Sequence, residues 1–521
     1  ALALLDQIRS ASPTLKNQLC SQLLQVLADS ETGETAAAVQ PAGATAEPSA
    51  SAAEVARERF FLWAELMKAA WSGRLREPAR SAAAALLAAP LSIDPVEEPD
   101  MVRLQAEARY VQAETLVDEL RSREGQGTLS VTTKIQLAEA PQAELAELRS
   151  RALREMEAGI RLGLVLREDY LVYNGCIYIW NYNQVLIKSG ELEPLLGALK
   201  SGVEAMRATE QEELRRDLPL LKLACAFAAA YARALERHAT AVTADGRRAH
   251  DAKDANQAAA LQAAQDACKW AAELAGSRHR LKRDVVTCWA RLQAYAGVKE
   301  PAVGTGAESG AYARLELLAA GLVELPARVA TLAKVKELLL GGGPGGAPLL
   351  DPELWVRSAQ QSLAQGNLAA VVHDCEKALA PLRTWGEGGA PLRDEWRWYA
   401  LAEYVHGDAM EHLIQPHQAA SLQAQLHAQA ADHLSTAMEY AARGGEHALV
   451  LTASSRLWQH CEAFLDAPRR TGGVSVSLVR AAVMRASTTL EKLDAADQPA
   501  VEALRVCLYR LQLYVFVEGG E

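Results

Sequence analysis

Residues 355–382 read WVRSAQQSLAQGNLAAVVHDCEKALAPL, and the spacing inside this stretch decides the architecture. Trp355 opens a first helix, and Ala359 sets a small residue one turn further along the same face. Gly366-Asn367 supplies the reversal, because glycine reaches positive φ without a Cβ clash. A second helix follows with Leu368 and Lys377-Ala378-Leu379, and Pro381 stands near its end. Two antiparallel helices approach closely only where small residues face each other, so Trp355, Ala359, Gly366 and Ala378 read together as one helical hairpin. The position seven after Trp355 is Ser362, where the full pattern of such a repeat has Tyr.

The pattern is that of a tetratricopeptide unit, and two other segments fit it with less fidelity. In one, Phe60-Phe61-Leu62-Trp63 opens a helix, Gly73 turns it, Leu75, Ala79 and Ala85 line the partner helix, and Pro90 stops it. In the other, Ile179-Trp180, Asn183 and Leu186 precede a turn at Gly190, followed by Leu192, Leu195, Leu199 and Gly202. Helix pairs over 401–442, 449–465 and 476–515 read as continuations whose motif has drifted. The expected fold is all-α, an α-solenoid of stacked tetratricopeptide-like hairpins, each burying its apolar stripe against its neighbours. A simple long bundle would lack turn glycines at a fixed offset from an aromatic residue.

Clusters of Gly, Pro and small polar residues divide the chain, because they bury too little apolar surface to offset the entropy of ordering them. The resulting segments are an N-terminal helix or helices over 1–29 and a mobile linker over 30–53. Helical hairpins follow over 54–124 and 125–300. A helix with Gly/Pro-rich linkers is expected over 301–350, hairpins over 351–466, and a helical pair over 467–521.

Composition agrees with helices. Half of the chain is apolar while 5% is aromatic, so Ala and Leu, the strongest helix formers, supply most of the apolar surface. The net charge of −11, from 54 basic and 65 acidic residues, is mixed along the helices. A nucleic-acid binder needs a concentrated basic footprint to replace phosphate counterions, and none is seen. The densest basic stretch, 278–283, reads as a solvated helix face. The eight cysteines are spread out with no Cys-x-x-Cys pair, which suits small buried hydrophobes in a reducing compartment such as the cytosol. The longest apolar run, 218–235, is interrupted by Pro219, Lys222 and Arg233, so no membrane association is expected. The sequence begins at Ala1 without an initiator Met, and an excerpt of a longer protein is expected.

The sequence carries no recognisable catalytic signature. Residues 341–346 have the glycines of a phosphate loop but no Lys to meet the phosphates. There is no His-Glu-x-x-His, no Gly-x-Ser-x-Gly and no kinase signature set. The expectation is no catalytic residue, no metal and no cofactor. Seven histidines, His406, His412, His417, His427, His433, His447 and His460, crowd one region. A helical zinc site wants ligands three or four apart, and the nearest spacings between them are five and six, so they read as solvated or half-buried helix residues. Stoichiometric zinc in the purified chain would overturn that reading. Trp396, Trp398 and Tyr399 are the candidate partner-binding aromatics, because consecutive aromatics point around a helix and Trp and Tyr are enriched at interface hot spots.

The stretch Leu171-Val172-Tyr173-Asn174-Gly175-Cys176-Ile177-Tyr178-Ile179-Trp180-Asn181-Tyr182-Asn183, with the Gly190 turn after it, resembles the large tetratricopeptide-containing proteins of the ciliary and flagellar central apparatus. That resemblance implies a structural subunit of a projection on a central-pair microtubule, in the cytoskeleton of the axoneme, contributing to ciliary motility. It implies as partners other projection proteins, including a calmodulin-containing subcomplex, and the microtubule itself, directly or indirectly. The other reading is a soluble adaptor or co-chaperone that binds short peptides in a repeat groove. An assembly subunit should carry several apolar patches, and an adaptor one polar groove with a carboxylate clamp.

Overall fold

Long Ala- and Leu-rich runs without β-branched alternation form helices throughout, and no strand occurs among the described residues. The computed structural model describes residues 2–11, 13–37, 50–89, 91–127, 139–240, 255–276, 278–298, 306–383, 393–415, 417–466, 476–493 and 499–518. The chain divides into two units, Ala1–Cys288 and Trp289–Glu521.

The first unit runs through α1 (Leu2–Ser10), α2 (Pro13–Ala37), α3 (Ala50–Ser72), α4 (Arg76–Ala88), α5 (Pro99–Gly127), α6 (Glu139–Leu166) and α7 (Asp169–Tyr182). It continues with the short α8 (Gln184–Ser189), α9 (Leu196–Ala208), the short α10 (Gln211–Arg216), α11 (Leu218–Thr240) and α12 (Ala255–Ala275). The division falls inside α13 (His279–Tyr295). The second unit has α14 (Ala307–Ala319), α15 (Leu325–Gly341), α16 (Pro352–Ala364), α17 (Leu368–Arg383), α18 (Arg393–His412), α19 (Ala420–Gly444), α20 (His447–Asp466), α21 (Arg480–Glu491) and α22 (Pro499–Glu518).

Within the second unit, helices pack on the next helix or the next but one: α16 on α17 and α18, α18 on α19 and α20, α19 on α20 and α21, α20 on α22. The first unit follows the same rule from α1 to α5, and again from α5 to α12 once the two short helices are set aside. Stacked hairpins with this neighbour-only burial are an α-solenoid arrangement.

One cap recurs where helices reverse. At Arg74, Arg167, Gly297, Gly321, Gly366 and Gly445 the residue has positive φ, and the N–H after it bonds to the carbonyl five positions earlier, as in Asn367 N to Ser362 O at 2.9 Å. This 6→1 bond satisfies a carbonyl that a helix end otherwise leaves bare. Gly366 takes φ 73° freely, whereas Arg74 and Arg167 take φ 58° and 57° against a Cβ. The expected turn residue Gly73 is therefore displaced by one: the left-handed position belongs to Arg74, and Gly73 is the last residue before it.

The repeat at 355–382 closes around its motif residues. Trp355 is 1% exposed, and its Nε1 donates to Leu349 O at 2.7 Å. Ala359, Val371 and Cys375 interlock with Val405 and Ala409 of α18, and Ala378 is buried as well. Asp351 caps α16 by accepting from Glu353 N at 2.9 Å. Ser362, in place of Tyr, lies beside Ser358, and both hydroxyls donate to Asp374 Oδ2, at 3.3 and 2.8 Å. Lys336 of α15 reaches the same oxygen at 3.3 Å. Asp374 is fully buried, and burial pushes its carboxyl above the usual range, with Lys336 opposing. A polar lock thus replaces the aromatic of the ideal repeat.

Other expectations need correction. Phe60 lies in the middle of α3, which starts at Ala50, because the Ala-rich residues before it continue the helix. The expected linker over 30–53 is helical at both ends, since α2 reaches Ala37 and α3 begins at Ala50. Residues 38–49 and Pro90 lie outside the described residues. The segment 301–350 holds two helices, α14 and α15, with Pro326 in the first turn of α15, where its missing N–H costs nothing. Between Ile179 and the Gly190 turn the helix breaks at Asn183, whose side chain donates back to Ile179 O at 2.8 Å. Gly190, at φ 79°, ends α8.

The aromatic run of α7 divides between two neighbours. Tyr178 meets Tyr110 of α5 at 5.5 Å and stacks on Tyr182 at 5.7 Å, while Trp180 lies 5.5 Å from Phe227 of α11. Tyr182 Oη donates to Glu114 of α5 at 2.6 Å. The apolar α11 is long enough to cross a bilayer, yet its Leu221, Phe227 and Ala228 are buried within the first unit, where it packs on α9 and α12.

Candidate functional site

The second unit brings the sequence's two unusual clusters, aromatics and histidines, onto α18, α19 and α20. Trp396 is half-buried, edge-on to Tyr399 at 6.3 Å and tilted on Tyr440 of α19 at 5.4 Å, with the Arg443 guanidinium 5.1 Å above its ring. Gly444 lets this contact form, since a Cβ there would lie 3.2 Å from Trp396 Cβ. Tyr399 is 2% exposed and belongs to the core, so it offers no surface to a partner. Trp398 is half-buried with the guanidiniums of Arg357 and Arg397 at 5.8 and 5.6 Å from its ring. Arg357 is anchored in turn by Glu353 at 2.9 Å and Glu316 at 3.4 Å. Two guanidiniums thus lie over the half-buried Trp398 ring.

The histidines pair across helices. In an upper tier, His406 of α18 stacks on His433 of α19, ring centroids 3.9 Å apart and planes at 25°. His433 Nδ1 lies 2.6 Å from Glu403 Oε2, and Glu403 stands three residues before His406 on the same face. In a lower tier, His427 Nδ1 of α19 is 3.4 Å from His460 Nε2 of α20. His460 faces Glu411 at 3.7 Å, Glu411 faces Arg456 at 3.2 Å, and Arg456 also holds Asp408 at 2.5 Å. Burial, and then the adjacent His460, push the His427 imidazole down to about 4. The adjacent His460 imidazole holds the Glu411 carboxyl below the usual carboxylate range.

Sequence spacing did not find these pairs, because it compared histidines along one helix while the partners lie on antiparallel neighbours. His406 and His460 are buried, not solvated. The one legible signal was Glu403-x-x-His406, a carboxylate and an imidazole on one face.

The cysteines behave as small core residues: seven are buried and Cys507 is half-buried. Burial pushes Cys461 up to about 12, away from thiolate chemistry. A groove between α4 and α5 is lined by Arg76, Arg80 and Arg123 against Glu77, Asp118 and Glu119. Arg76 pairs with Asp118 at 2.9 Å and Arg123 with Glu119 at 2.5 Å, so its cations are already matched by carboxylates. Apolar side chains face outward at Leu325 and Val329 on α15 and at Val506, Tyr509 and Leu513 on α22.

No family profile matches the chain. Over 260 residues the chain is 27% identical to cilia- and flagella-associated protein 46 of Chlamydomonas reinhardtii. That match takes in 48% of this chain and 9% of the relative's length. Among solved structures, a circular tandem repeat protein with novel repeat topology aligns over 99% of this chain and 96% of its own, at 12% identity and a TM-score of 0.26, too loose a likeness to bear on the fold.

Proposed function

We propose that this chain is a non-catalytic scaffold segment of a ciliary or flagellar central-pair projection, binding neighbouring axonemal proteins through its helical-repeat surfaces and contributing to motility. The observation that carries this reading is the 27% identity to a cilia- and flagella-associated protein across about half of the chain. The architecture supports it, since stacked hairpins offer long rigid surfaces for protein contact. Several exposed apolar positions, on α15 and on α22, suit an assembly subunit that meets more than one neighbour. The groove between α4 and α5 holds three arginines against three carboxylates, which disfavours a clamp for a peptide carboxylate. Trp398 is the aromatic best placed to meet a partner, and Trp396 contributes chiefly by packing α18 on α19.

The test is affinity capture of the tagged chain from salt extracts of cilia, with quantitation of what accompanies it. Central-apparatus proteins are expected, in amounts lowered by Trp398→Ala while the melting temperature stays within a few degrees of wild type. Recovery with cytosolic chaperones and no axonemal protein would defeat the scaffold reading in favour of the adaptor.

A further inference from the structure

We propose that Glu403, His406 and His433 form a binding site for a divalent metal ion of the zinc class, which clamps α18 to α19. One ligand atom from each of the three side chains lies within 4.8 Å of the others. Glu403 and His406 are 8% and 6% exposed, so the donors converge in a largely dehydrated space between two helices. Zinc binds His nitrogen and carboxylate oxygen at about 2.0–2.2 Å, which sets tetrahedral donors roughly 3.3 Å apart. Side-chain rotation of about an ångström draws the three donors onto such an ion. Two imidazoles and one carboxylate are a donor set that suits a borderline ion, and three protein ligands leave the fourth position to water.

The upper tier is chosen over the lower by its charge. Glu411 of the lower tier already meets Arg456 at 3.2 Å, a permanent cation that a metal ion would have to displace. Glu403 of the upper tier instead faces the His433 imidazole, itself a metal-ligating group. Ligation needs the lone pair of a neutral imidazole and an ionised Glu403, so a proton held between the two passes to solvent as the ion enters. Because the rings stack at 3.9 Å, ligation has to swing their planes apart so that the in-plane lone pairs converge. The site is independent of the ciliary reading, because its ligands all belong to this chain.

The full chain, stripped with chelator and dialysed, would be titrated with Zn²⁺ against a chromophoric chelator, and with Co²⁺ followed by its visible d–d absorption. One equivalent should bind, with a tetrahedral Co²⁺ spectrum and a Zn²⁺-dependent rise in melting temperature. His433→Ala and Glu403→Gln should each weaken binding by roughly 100-fold or abolish it. His427→Ala, in the lower tier, should retain it. Circular dichroism would verify folding, and if His433→Ala loses helicity, His406→Gln takes its place. Absence of stoichiometric binding, persistence of binding in the folded ligand variants, or equal loss in His427→Ala would each overturn the site.

Discussion

Arg74 and Arg167 occupy the left-handed position of the cap that Gly366 occupies elsewhere, and each keeps a Cβ where none is favoured. Replacing either by Gly removes that strain, against a smaller cost in unfolded-chain entropy, so a gain of about 0.5–1 kcal/mol per site is expected in urea unfolding. Asp374 gives the opposite case. Asp374→Ala strands the Ser358 and Ser362 hydroxyls and the Lys336 ammonium, and a loss of about 3 kcal/mol is expected, near the lower end for a broken buried pair because Lys336 is partly exposed. Ser362 looked in the sequence like a gap in the motif. Its use was not legible there, because the acceptor sits twelve residues on and the cation belongs to the preceding helix.

Close approach of helices is the controlling feature at the next scale. A Cβ on Gly202 of α9 would lie 2.6 Å from Phe227 Cε1, and Phe227 is itself fully buried and unable to swing clear. Gly202→Ala should cost about 2 kcal/mol, read from the denaturation midpoint at unchanged slope. The α19–α20 contact should be sensitive to pH. With His427 held down to about 4 from its ordinary 6.5, the unfolded chain binds the extra proton between those values, so stability falls as pH drops through that window. His427→Gln should flatten the stability curve between pH 6.5 and 4, and an unchanged slope would assign the acid sensitivity elsewhere. The candidate site was only half legible for the same reason of scale. Glu403 and His406 share a helix face and could be read off, whereas the pairing of His406 with His433 depends on how far α18 and α19 overlap, which the turn between them sets.

For the molecule, repeat spacing was the legible part: one aromatic, one small residue and one turn glycine gave the hairpin, and composition carried it to the rest of the chain. What was not legible was the end of each element, as with α3 beginning well before Phe60, since Ala-rich sequence has high helix propensity and no stop signal. Neighbour-only packing makes stability local. Leu457→Ala empties a fully buried position of α20, a loss of about 3 kcal/mol. Hydrogen exchange should then quicken across α19 to α22 while α14 to α16 keep wild-type protection. The same packing rule has a mechanical meaning. A helix joined only to the layers on either side transmits load in series, so tension along either unit is borne by one hairpin contact after another and released in small steps. Each unit is built to give way gradually, as a chain of yielding links and not as a single brittle block.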